Sequence, residues 1–155
     1  MYNLTEFTEV IHRYIEVFDR LIPLEQKKLD VVKQNRVSQL EEIGSKEQAE
    51  ALAMRGLEQK REKAQEALGF QGLSFQEILE KLPAEQKQAM KELFNELAER
   101  VRVFQELADN SRTIMEVNLH AINKMIAEQK QGKGQTYSED GSVKQREIHF
   151  TDTRI

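Results

Sequence analysis

The chain contains no cysteine and no tryptophan. Without cysteine there is no disulfide, no thiolate nucleophile and no thiolate metal site. Proline occurs twice, at Pro23 and Pro83, so little interrupts helix formation. No apolar run approaches the roughly 20 residues needed to span a bilayer. The N-terminus, Met1-Tyr2-Asn3-Leu4-Thr5-Glu6, lacks the basic segment followed by an apolar one that marks a secretory signal. The expectation is a cytoplasmic protein without direct membrane insertion. Charge of neither sign dominates: 23 Lys and Arg stand against 27 Asp and Glu, a net of −4. Nucleic-acid binding is not expected, because it needs a basic face to displace phosphate counterions. A glycine-rich phosphate loop, a nucleophile elbow and matched Glu-x-x-His pairs are missing too. These absences point away from an enzyme, and no cofactor is expected.

What remains is rich in Glu, Gln, Lys, Ala and Leu, residues that lose little side-chain freedom in a helix. Leu4, Phe7, Ile11, Tyr14, Phe18 and Leu21 recur at spacings of three and four and share one face, widened by Val10, Val17, Leu24 and Val31. This predicts a helix over about 4–34, kinked or restarted near Pro23. Asn35-Arg36-Val37-Ser38 breaks it. Ser38 and Glu41 fit a capping box opening a second helix, about 39–68. The apolar face of that helix is thin, with Glu47, Glu50 and Arg61 at positions the pattern would make apolar. Gly69 and Gly72 end it. Ser74 and Glu77 form a second capping box before a short helix, about 75–82, and Leu73 and Ile78 fit its hydrophobic staple. Pro83 then opens the longest helix, about 84–128, at a first-turn position where its missing N–H costs nothing. Met90, Phe94, Leu97, Val101, Phe104, Ala108, Ser111, Met115, Asn118, Ile122 and Met125 alternate by four and three, a sustained heptad seam. The predicted fold is all-α: an elongated antiparallel helical bundle or coiled coil, residues 1–130, with one very long C-terminal helix. Residues 131–155, opening Gln131-Gly132-Lys133-Gly134, read as a flexible tail.

The three histidines, His12, His120 and His149, lie far apart in sequence. Glu9, His12 and Glu16 share a helix face, but there is no His-x-x-x-His spacing and no second Glu-x-x-His to match Glu9 and His12, so a metal site is not supported. The methionines say more. Met115 and Met125 lie on the seam near its far end, where methionine suits either an irregular core or an adaptable surface for a partner helix. Ser111 and Asn118 are polar seam positions; they fix register, or they mark a wet groove that closes on a partner.

The layout resembles the FlgN family. The residues carrying the resemblance are the break Lys33-Gln34-Asn35-Arg36-Val37-Ser38-Gln39-Leu40, the turn and helix Leu73-Ser74-Phe75-Gln76-Glu77-Ile78-Leu79, the stretch from Leu107-Ala108-Asp109-Asn110 to Asn118-Leu119, and the tail motif Thr136-Tyr137-Ser138-Glu139-Asp140-Gly141. Pro23 and Ile148-His149-Phe150 have no counterpart in that pattern. The resemblance implies a chaperone that holds the helical ends of flagellar hook-associated (junction) proteins before type III export and brings them to the export gate. The client face is expected on Ile114, Met115, Asn118, Leu119, Ile122, Met125 and Ile126. By resemblance, Tyr137 serves docking to the export gate and export ATPase machinery, with Gly141 permitting the adjacent turn. A structural coiled-coil scaffold that self-associates is the alternative, and a homo-oligomer stays open in either case.

Overall fold

The computed structural model describes residues 1–132. It is all-α, with no strand among the described residues. The helices are α1 (Thr5–Lys33), α2 (Leu40–Ala67), α3 (Phe75–Lys81) and α4 (Ala84–Gly132), with a single 3-10 turn, Val37–Gln39, between α1 and α2. The chain divides into two compact units, Met1–Ala108 and a second from Asp109 onward, so α4 contributes residues to both.

α1 is one helix across Pro23, and the expected restart is absent. Pro23 lies on the exposed side of the helix, as does Asp19, whose carbonyl it cannot serve. α1 ends at Asn35, whose φ of 58° is left-handed. The Arg36 N–H donates to Val31 O at 2.9 Å and the Asn35 N–H to Val32 O at 3.2 Å, the paired bonds of a Schellman motif. This winding displaces the expected Ser38–Glu41 capping box. Ser38 falls inside the 3-10 turn, Gln39 takes the cap position of α2, and no side chain caps it.

α2 ends in the same way. Gly69 adopts φ 78°, with Phe70 N donating to Gln65 O at 2.8 Å and Gly69 N to Glu66 O at 3.0 Å. Gln65, only 2% exposed, then holds the loop that follows. Its Nε2 donates to the carbonyls of Phe70 and Leu73, each at 3.1 Å, and its Oε1 accepts from Arg61. Ser74 caps α3, accepting from Glu77 N at 3.2 Å. The glutamate of this box reaches the serine hydroxyl, which donates to it at 3.2 Å. α4 starts at Ala84, and the Pro83 carbonyl accepts from the Gln86 and Lys87 N–H groups.

In the first unit, α1 and α2 pack against each other. They run antiparallel, as paired contacts show: Tyr14 with Glu58, Arg20 with Glu50, and Lys28 with Glu47. Two of the charged α2 positions that break its apolar pattern, Glu47 and Glu50, are therefore matched by α1, whereas Arg61 bonds Glu58 and Gln65 of α2 itself. The Arg20 guanidinium bonds both Glu50 oxygens, at 2.8 and 3.1 Å. Glu58 accepts from Arg61 and, at 2.6 Å, from the Tyr14 hydroxyl. The Arg61 bond chiefly, then Tyr14, holds the Glu58 carboxyl down to about 2. Burial, and then the bond to Glu58, pushes the Tyr14 hydroxyl up.

α4 runs parallel to α1 and meets it through aromatic rings. Phe7 lies edge-on to Phe94 at 6.0 Å and to Phe75 of α3 at 6.2 Å. Phe75 and Phe94 stack at 4.2 Å between centroids. Further along, Phe18 meets Phe104 at 5.6 Å, and Asp19 pairs with Arg100 at 3.2 Å. At the N-terminus, Tyr2 packs on Phe70, and its backbone exchanges two hydrogen bonds with the Gln86 amide. Met90, Leu93, Phe94, Leu97 and Phe104 are all buried, which is the seam seen in the sequence. Because Phe94 contacts helices on both sides, Phe94→Ala should lower the unfolding free energy by about 3–5 kcal/mol, read by denaturant titration.

Candidate binding face on the last helix

Beyond Ser111 the described seam side chains are no longer buried. Ser111 is 1% exposed, and its hydroxyl has no hydrogen-bond partner among the described residues. After it, no described side chain of α4 is buried. Ile114, Met115, Asn118 and Ile126 are half-buried, and Met125 is 67% exposed. Leu119 and Ile122 lie on the same helix, with side chains outside the described residues. Tyr137 and Gly141 fall outside the described residues altogether.

Val117, not singled out from the sequence, is 61% exposed. It sits three residues after Ile114 and four before Ala121, the spacing that shares a helix face. That signal was present in the sequence, but the heptad seam drew attention to the row one residue away. An apolar row of this kind has the spacing by which an amphipathic helix is recognised. Around it the helix is polar: Arg112 pairs with Asp109 at 2.6 Å, and the Thr113 hydroxyl donates to the Asp109 carbonyl at 2.9 Å. That back-bond satisfies the hydroxyl without reaching into the apolar row.

The first unit offers a different surface. A broad open groove of about 1170 Å³ runs between α1 and α2, lined by Thr8, His12, Glu16, Ala53, Gly56 and Lys60 among others. Its charged walls do not match an apolar helix face. His12 is exposed there, and Glu9 is paired with Arg13 at 2.7 Å. Among the described residues no group of three or more His, Cys, Asp or Glu side chains could hold a metal ion. No described helix is long and apolar enough to cross a membrane.

A family model described as FlgN protein matches residues 1–145, nearly the whole chain. The chain belongs to the FlgN family. FlgN proteins are flagellar export chaperones, and an all-helical bundle is consistent with that role. No curated protein and no solved structure matches the chain.

Because the exposed side chains of this face carry little of the fold, Val117→Ser and Met125→Ser should each change the unfolding free energy by less than about 0.5 kcal/mol. A larger fall in either thermal melt would show that the side chain is packed rather than presented.

Proposed function

We propose that this chain is a cytoplasmic type III export chaperone that binds the helical termini of flagellar hook-associated proteins, keeps them soluble and delivers them to the export gate. The observation that carries the reading is the FlgN match across residues 1–145 in a chain whose last helix leaves Val117 and Met125 open. An amphipathic terminal helix buries its apolar side only on assembly and needs a temporary partner before that. The row Ile114, Met115, Asn118, Leu119, Ile122, Met125 and Ile126 supplies one, with Val117 at its margin. Helix-in-groove binding of this kind needs no nucleotide and no covalent step.

The division of labour follows from the domain organisation. Residues 1–130 hold the client, and residues 131–155 form the gate-docking tail. In that tail Tyr137 gives a large contact area with few rotamers to freeze.

Mass measurement in solution, with and without C-terminal peptides of hook-associated proteins, tests the reading. A one-to-one complex supports the chaperone. A stable higher oligomer indifferent to every such peptide supports a self-associating scaffold instead.

Two substitutions separate the roles. Met115→Asp places a charge in the apolar row and should weaken peptide binding by about tenfold or more, with the melting temperature nearly unchanged. Tyr137→Ala should leave fold and peptide affinity intact while reducing secretion of hook-associated proteins by cells. Loss of peptide affinity in the purified Tyr137→Ala protein would assign the tyrosine to the client instead.

A further inference from the structure

The α1–α2 hairpin is not apolar throughout. Its main core includes Leu21 on α1 and Met54 on α2 as the members nearest the tip. Nearer the turn, Leu29, Val31, Val32 and Ile43 are buried as well. Between the two lies a polar layer. Glu25 of α1 is 2% exposed, a position where a lone carboxylate is costly. Lys28 places its ammonium 3.5 Å from Glu25 Oε1 and 3.4 Å from Glu47 Oε2 on α2. The other oxygens, Glu25 Oε2 and Glu47 Oε1, are buried without a partner. Lys28 on its own helix and Glu47 across the hairpin are the charged groups that act on Glu25. The next charged pair on the core side, Arg20 with Glu50, is engaged within itself.

Two carboxylates around one ammonium leave one negative charge unmatched beside the buried Glu25, with two acceptor atoms idle. One proton removes both faults: it cancels the excess charge and turns a carboxylate oxygen into a donor for its neighbour. We propose that Glu25, Lys28 and Glu47 form a proton-operated latch, in which the two carboxyls share one proton while the hairpin tip is docked, and loss of that proton releases the tip without unfolding the rest of the first unit.

The direction of the pH effect follows. Burial chiefly, with Glu47 adding to it against Lys28, pushes the Glu25 carboxyl up from 4.5 to about 7. The docked tip therefore binds the proton more tightly than the open tip does. Docking is firmest below pH 4.5, weakens as pH rises from 4.5 to about 7, and is level above that. Glu58, with its depressed carboxyl, acts in the opposite sense and below pH 4.5, so the two windows do not overlap.

Amide hydrogen exchange of the full chain between pH 4.5 and 8, corrected for intrinsic rates, reads the latch directly. The opening equilibrium of residues 29–43 should rise on the order of a hundredfold across that range, while residues 7–18 stay protected throughout. Glu25→Gln keeps the shape and supplies a permanent donor, so the tip should stay docked and the pH dependence should vanish. Glu47→Gln leaves Glu25 paired with Lys28 alone, and the transition should move to lower pH. Carbon-13 titration of the wild-type side-chain carboxyls should show one glutamate titrating near neutrality, independently of whether either variant folds. Tip protection that is flat with pH, loosening of residues 7–18 together with the tip, a Glu25→Gln protein that keeps the wild-type pH profile, a transition that Glu47→Gln leaves in place, or no glutamate titrating near neutrality would each overturn the proposal.

Discussion

Phe7 is the side chain on which the first unit turns. Its ring touches Phe94 of α4 and Phe75 of α3 edge-on, and those two rings lie flat on each other. The three rings fill the space where α1, α3 and α4 meet. For Phe75 to arrive there, the loop before it must come back along the bundle. The left-handed Gly69 starts that return, and the Gln65 amide fastens it by bonding two of its carbonyls. A turn residue, a buried amide and three rings thus act together, and removing any one misplaces the others.

The other helix pair is organised by charge. Along α1 and α2, Tyr14 meets Glu58, Arg20 meets Glu50, and Lys28 meets Glu47. Partly exposed pairs of this kind add little net stability, because screening and side-chain entropy offset the attraction. Their effect is on register. Sliding α2 by one turn would set carboxylates against apolar neighbours and strand Arg20 and Lys28, which costs more than the correct pairing gains. The thin apolar face of α2 is adequate for that reason.

Most of the fold was readable because it rests on period and on turn chemistry. The alternation of four and three on α4 gave the buried rows through Phe104, and Ser74 with Gly69 gave the ends of α3 and α2. Ser38 misled, since a serine three residues before a glutamate looks alike whether the chain enters the helix extended or through a 3-10 turn. Asn35 set the outcome by taking the left-handed position. Gln65 and Glu25 were invisible for another reason: polar residues at core spacing look like interruptions until the groups they bond are known. The row on α4 beyond Ala108 was legible as an apolar pattern, but not whether its side chains were covered. Periodicity says which residues share a face and is silent on what faces them.

The parallel pairing of α1 with α4 bears on how the protein is made. Tyr2 bonds Gln86 and Asp19 pairs with Arg100, partners separated by more than 80 positions in the chain. Between them, α1 and α2 form a local hairpin that can close as soon as α2 is synthesised. The apolar side that this hairpin presents to α4, including Phe7 and Phe18, then has no cover until the ribosome has released the chain past Phe94 and Phe104. Late closure of this kind slows folding and prolongs the exposure of a half-built core. During that interval the nascent chain itself carries the hazard of an unpaired amphipathic face.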